Sequence, residues 1–273
     1  MTVRSRFSRR LAVASVLAIA MTVPALAQDQ ARAGDEVPVA GFEQVQPAGP
    51  APTPRHTGVR ALFRDLADDV AHLPTKENAL WAGIGGVAAL AVHPADQSVN
   101  EAFVNSSFAD DFFKPGAILG AFPTLLASSL TVYVVGRVRD QPKVSHTGMD
   151  LIQALVVSEG LVQAVKFATR RERPDGTARS FPSGHSSDTF AVATALERHL
   201  GWRFSVPAYG IASYVAISRL PANRHWFSDV VFGSTVGIIA GRTVTRHGRE
   251  FPVTVVTTPA GVMLLYSNSL RVG

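Results

Sequence analysis

The chain has 273 residues, 47% of them hydrophobic and 17% charged, and no cysteine. This is enough apolar material for a substantial core, which excludes global disorder and a disulfide-stapled scaffold. A formal charge of +5 and a pI near 10.0 would suit a nucleic-acid binder. However, Arg4, Arg6, Arg9 and Arg10 all lie at the extreme N-terminus, and without residues 1–27 the charge falls to +1, so no global basic footprint for nucleic acid remains.

Those arginines precede an apolar run over 11–20 and the small-x-small pattern Ala25-Leu26-Ala27. The combination predicts a secretory signal over 1–27, and hence an exported protein in the periplasm or at the periplasmic face of the inner membrane. A retained anchor is the alternative, for which the run is short. Residues 28–58 carry Pro38, Pro47, Pro50, Pro52 and Pro54 with almost no apolar periodicity, which predicts a flexible linker. The folded domain is expected over 59–248, followed by a tail over 249–273.

Within that domain, Leu62, Phe63, Leu66, Val70 and Leu73 recur at helical spacing before Pro74, predicting an amphipathic helix over 59–73. Apolar segments follow at 79–92, 116–136, 149–167, 189–200, 206–217 and 230–243, and all read as helices. The predicted class is all-α, a helical bundle. Only 116–136, with 21 residues free of charge, has the length of a bilayer span. Basic residues follow alternate segments (Arg137, Arg139 and Lys143; Arg198 and Arg203; Arg242, Arg246 and Arg249), an arrangement compatible with a membrane topology that does not establish one. Residues 251–267 place β-branched and aromatic side chains on both sides of Pro259-Ala260-Gly261, predicting a small C-terminal β-hairpin.

Three short stretches gather cations and histidines among the apolar helices. In the first, Lys166 and Arg173 stand seven apart and can project from one face of a helix end, with Pro174 turning the chain out of helix. A solvated helix C-terminus gives the same pattern. In the second, Pro182-Ser183-Gly184-His185 opens an apolar helix. Backbone N–H groups there can face an anion, and His185 can exchange a proton near neutral pH; an N-capping serine beside a surface histidine is the plainer account. The third holds Ser218-Arg219, His225 and Asp229. An Asp four residues beyond a His can hold one ring nitrogen and leave the other as nucleophile or base, although such a pair alone is more often a surface contact.

Together the stretches supply three cations for a tetrahedral oxyanion, a backbone cradle, two histidines and an orienting aspartate. Those are the parts needed to transfer a phosphoryl group without a metal. His185, His225 and Asp229 read poorly as metal ligands beside three cations, so no metal and no cofactor is expected. Arg170, Arg171, Arg179 and Arg224 read as steering charge or, somewhat better, as solvated surface. His56, His72, His93, His146, His199 and His247 fall outside the constellation. Trp81, Trp202 and Trp226 suit either core packing or a lipid interface.

Lys166-x6-Arg173-Pro174, Pro182-Ser183-Gly184-His185 and Ser218-Arg219-x5-His225-x3-Asp229, in this order, resemble the complete three-part signature of the type 2 phosphatidic acid phosphatase (PAP2) and vanadium haloperoxidase superfamily. The resemblance implies a PAP2-type helical bundle. It also implies that His225 attacks phosphorus to form a phosphohistidine, that Asp229 fixes its tautomer, and that His185 protonates the leaving oxygen and then activates water. Lys166, Arg173 and Arg219 would hold the non-bridging oxygens, with Ser183 and the Gly184 N–H completing the cradle. The interval between Pro174 and Pro182 is short for this superfamily, leaving less room for a substrate-covering loop. The implied activity is metal-independent hydrolysis of phosphomonoesters or lipid phosphates, with membrane association open. The alternatives are a vanadium-dependent haloperoxidase and a non-catalytic membrane protein that binds anionic headgroups.

Overall fold

The structure, a computed structural model, describes residues 58–248, 253–258 and 261–266. The expected signal and all but the last residue of the expected linker lie outside it. Residues 58–248 are helical, without a strand: α1 Val59–Ala71, α2 Lys76–Val92, α3 Asp96–Val104, α4 Ser107–Phe113, α5 Gly116–Leu119, α6 Phe122–Val138, α7 Pro142–Thr169, α8 Gly184–Leu200, α9 Trp202–Ser218 and α10 Phe227–Val244. The all-α class expected from the apolar segments is the observed one.

Helices α7, α8 and α10 pack on one another, with α6 against α7, α9 against α8 and α2 against α10. Their shared core is made of small and medium side chains: Leu151, Ala154 and Val157 of α7, Ala191 and Ala195 of α8, and Ala240 and Val244 of α10. Small residues are required because the helix backbones approach closely. A Cβ added at Gly233 would meet the Ser183 carbonyl oxygen at 2.5 Å, and one at Gly237 the Ser187 carbonyl oxygen at 2.1 Å. With Gly241, these glycines form a stripe at i, i+4 and i+8 along the α10 face that receives α8. They are structural here, although glycine in a helix interior weakens the helix signal in the sequence.

Several boundaries depart from the sequence reading. The segment expected over 116–136 is two helices broken at Gly120-Ala121, and the axes of Ser107–Leu119 and Phe122–Val138 meet at 50°. Gly120 sits at the corner because a Cβ there would meet Val215 Cγ1 at 2.2 Å. The single described helix long and apolar enough to cross a bilayer is instead α7, with 28 residues, half of its most apolar stretch being buried. Helices α7, α8, α9 and α10 begin three to seven residues before the predicted starts, because their first turns are polar or carry Pro and Trp and so lie outside an apolar window. Helices α3 and α4 lie in a polar stretch where periodicity gives no signal.

Candidate active site

Helix α7 ends at Thr169, where Arg170 adopts a left-handed conformation at φ 50°. Arg173 therefore lies in a loop and does not share a helix face with Lys166, as the spacing had suggested. The loop folds back on itself instead: the Arg173 N–H donates to the Thr177 carbonyl at 2.7 Å, and the Ser180 N–H to the Arg171 carbonyl at 2.7 Å. Lys166 Nζ donates to the Arg179 carbonyl at 3.0 Å, so the short interval between Pro174 and Pro182 is tied to the end of α7.

Ser183 is the N-cap of α8, its Oγ accepting from the Ser186 N–H, and its own N–H donates to the Asp229 carbonyl at 3.0 Å. The cradle at this helix start thus consists of the next amides, Gly184 and His185, which have no intrahelical acceptor. Asp229 occupies the first turn of α10, where Oδ2 accepts from the Trp226 N–H at 2.9 Å in a capping box. His225 precedes the helix. The His–Asp pair is therefore built by a capping turn and not by one helical turn.

The close approach of α8 to α10 brings Ser183, Gly184 and His185 to the same end of the bundle as His225 and Asp229. Lys166 and Arg173 lie within electrostatic reach of His225, and Arg219 of His185 and Arg173. All eight residues singled out in the sequence thus converge.

Three features set the electrostatics. His225 is buried, with Nδ1 at 3.6 Å from Asp229 Oδ2 and no hydrogen-bond partner. Burial pushes its pKa down to about 4, against the pull of the Asp229 carboxylate and with help from Lys166 and Arg173. The ring is therefore neutral at physiological pH, with a lone pair available. Second, Arg219 is buried with Nε and Nη1 unpartnered, and Arg173 Nε is likewise unpartnered. Burial, then the nearby Arg224 and Arg173, lowers the Arg219 guanidinium to about 10. Third, His185 Nε2 lies 3.3 Å from the Ala117 carbonyl of α5, so α5 roofs the site.

Sequence reading missed the support beneath Asp229. Arg171, read as surface charge, turns inward: its Nη1 donates to Asp229 Oδ1 at 2.7 Å and its Nη2 to the buried Asp96 at 2.8 Å. Ser180 Oγ donates to the other Asp229 oxygen. Trp226 lies over the Arg171 guanidinium and donates its indole N–H to the Glu172 carbonyl at 2.8 Å. Arg224 bridges to Asp175 at 3.0 Å, while Arg170 and Arg179 are exposed. Apart from His93, three residues before it, the partners of Asp96 are 75 and 132 residues away, so the sequence does not mark it as part of the site.

Residues 147–250, which contain all eight converging residues, match the sequence profile of the PAP2 superfamily. The chain carries a PAP2 superfamily domain over these residues. This PAP2 protein is similar to the lipid A 1-phosphatase of Porphyromonas gingivalis, at 49% identity over 86 residues, covering 30% of this chain and 19% of that protein. It is similar also to the decaprenylphosphoryl-5-phosphoribose phosphatase of Mycobacterium tuberculosis, at 30% identity over 102 residues, covering 34% and 56%. The chain therefore spans only about a fifth to just over half of the length of these curated relatives. Among solved structures, the transmembrane PAP2 type phosphatidylglycerolphosphate phosphatase from Bacillus subtilis superposes with a TM-score of 0.50 at 23% identity, over 69% of this chain and 94% of that one. That likeness is one of fold.

Proposed function

We propose that this PAP2 protein is a metal-independent phosphatase acting on lipid phosphates through a covalent histidine intermediate. The observation that carries the reading is the meeting of buried, unpartnered guanidinium nitrogens on Arg219 and Arg173 with a buried neutral histidine whose Nδ1 side faces Asp229. An unpaired buried cation costs several kcal/mol, and a phosphate offers the missing acceptors and the opposite charge.

With Nδ1 turned to Asp229, Nε2 of His225 is the attacking atom. Its lone pair forms the N–P bond as the bond from phosphorus to the ester oxygen breaks. His185 gives that oxygen its proton, and the alcohol leaves. His185 then takes a proton from water as the water oxygen attacks phosphorus, and the N–P electron pair returns to His225 as inorganic phosphate departs. Lys166, Arg173, Arg219 and the Gly184 and His185 amides hold the non-bridging oxygens where charge develops. Ser183 shapes that cradle as the α8 cap.

Two observations favour a lipid over a small phosphomonoester. The named activities of the relatives concern lipid-linked phosphates. In addition, the outward face of α2 carries Leu80, Ile84, Val87 and Leu90, with Leu90 73% exposed, and α6 adds Leu130, Val134 and Val138. Spacings of three and four residues align these side chains as apolar stripes, and aligned exposed apolar side chains of this kind mark a membrane or partner contact. We infer that they contact lipid and that the chain works, once exported, at the periplasmic face of the inner membrane. Residues 59–248 form the phosphatase domain in this reading. Val253–Thr258 and Gly261–Tyr266, in antiparallel register, support a small terminal hairpin.

The test compares wild type with His225→Ala in detergent, on phosphatidic acid and on p-nitrophenyl phosphate, in EDTA with and without vanadate. Metal-independent, vanadate-sensitive hydrolysis that prefers the lipid and is lost in the variant is the expected result. Equal activity in both proteins refutes His225 as nucleophile; halide oxidation by peroxide after vanadate loading, without hydrolysis, refutes the phosphatase reading.

A further inference from the structure

We propose that Arg171 is a positioning residue for this reaction, locking the Asp229 carboxylate in place, and that Asp96 of α3 is the anchor that holds Arg171 there. The inference rests on the reading of His225 and Asp229 given above and extends it to residues outside the superfamily signature.

The geometry is a two-pronged clamp. Arg171 Nη1 donates to Asp229 Oδ1 at 2.7 Å and to Ser228 Oγ at 2.8 Å, while Nη2 donates to Asp96 Oδ2 at 2.8 Å. Asp96 is itself fixed by the Ser228 N–H at 2.8 Å, the Ser228 hydroxyl at 2.6 Å and His93 Nδ1 at 2.8 Å. Ser228 thus closes a hydrogen-bonded ring with Arg171 and Asp96. The Trp226 ring, 5.6 Å from the guanidinium carbon, covers one face of the cation. On Asp229, Arg171 takes Oδ1, while Ser180 and the Trp226 N–H take Oδ2, the oxygen that lies 3.6 Å from His225 Nδ1. Bonds on both oxygens stop the carboxylate from rotating, so the negative charge on Oδ2 stays beside the imidazole.

Only a planar fork can serve both acids at once; a lysine ammonium in this place reaches one of them as a point charge. Arg171 has an electrostatic role as well. It places a cation between two buried carboxylates that would otherwise repel, and it draws part of the Asp229 charge away from His225. The groups facing His225 are Asp229, Lys166, Arg173 and His185, with Arg171 acting through Asp229. Loss of the Arg171 charge must therefore make His225 easier to protonate.

The experiment measures kcat, KM and the pH dependence of kcat/KM on phosphatidic acid for Arg171→Lys, Arg171→Gln and Asp96→Asn in the full chain, with melting temperature as the folding control. His225→Ala and Asp229→Asn run in parallel. Arg171→Lys and Asp96→Asn should lose about 10-fold in kcat with KM nearly unchanged, as expected for a misaimed catalytic group. Arg171→Gln should lose about 100-fold and move the acid limb of the profile to higher pH, while Arg171→Lys leaves the limb in place. If His225→Ala is inactive while Arg171→Gln keeps wild-type kcat and acid limb, this inference alone falls. A lower melting temperature in all three variants with unchanged kcat per folded enzyme also overturns it, leaving the clamp a purely structural device. Activity in His225→Ala overturns both this inference and the reading beneath it.

Discussion

Replacing Gly237 by alanine tests whether the α8–α10 approach sets the site. The added Cβ would stand 2.1 Å from the Ser187 carbonyl oxygen and 2.8 Å from both the Ala191 nitrogen and Phe190 Cβ. Two of those three neighbours are backbone atoms, so no side chain can swing aside. Relief to an ordinary contact of at least about 3.4 Å requires the helices to part by more than about 1 Å, and overpacking of this kind costs about 1–3 kcal/mol. The better helix propensity of alanine returns about 1 kcal/mol. The stability change is therefore modest, but the activity change is not. Gly184 and His185 open α8 while Asp229 opens α10, and a displacement of about 1 Å between reacting groups lowers rate by about 100-fold. Thermal melting and kcat in detergent measure the two effects, with Gly86→Ala as the control, since nothing lies within 4 Å of a Cβ at that position. Gly86→Ala should raise the melting temperature slightly and leave kcat alone. If Gly237→Ala behaves like Gly86→Ala, the packing argument is wrong.

Four further outcomes follow from the site and the surface. Arg219→Ala should lower kcat/KM by about 100- to 1000-fold while the melting temperature holds or rises, because buried guanidinium nitrogens without an acceptor are removed; a large loss of stability refutes the reading of Arg219 as an anion holder. With burial pushing both His225 and His185 down to about 4, His225 loses its lone pair below that pH and His185 loses its acid proton above it, so kcat/KM should peak on the acid side and fall toward neutral pH. Asp229→Asn removes the group that favours the imidazolium, so its acid limb should move to lower pH as the rate falls, and a shift to higher pH contradicts the assigned pairing. Serine at both Val87 and Leu90 should move the protein from the membrane pellet toward the soluble fraction, since about 1.5–3 kcal/mol of apolar contact is lost per side chain; an unchanged distribution argues against lipid contact through α2.

The parts of the site that were legible in the sequence are those whose chemistry is local. Lys166, Arg173, the Ser183-Gly184-His185 start of α8, Arg219 and the His225–Asp229 pair each stand out by residue type and spacing, and the structure brings them together. What spacing could not supply was the means of assembly. The Lys166–Arg173 interval looks like two helical turns, but Arg170 leaves the helix and a hydrogen-bonded loop makes the juxtaposition. Arg171 has the same composition signal as the exposed Arg170 beside it; only partners distant in sequence, Asp96 75 residues earlier and Asp229 58 residues later, distinguish them. The bundle class could be read from apolar runs, whereas Gly120 had no signature as a corner, because its need for a bare backbone arises from Val215 and from no neighbour in sequence.

The bond from the Ser228 N–H to Asp96 crosses 132 residues. Asp96 lies well before residue 147, where the superfamily match begins, as do α2, whose Gly85 abuts Thr235 of α10, and α5, whose Ala117 carbonyl caps His185. The inheritable signature and the smallest working enzyme are therefore different objects. A shortened gene beginning at the signature would encode all eight residues to which the proposed chemistry is assigned, yet it would deprive α10 of one supporting wall and His185 of its roof. Deletion mapping on this chain should accordingly find its minimal active fragment starting ahead of α2.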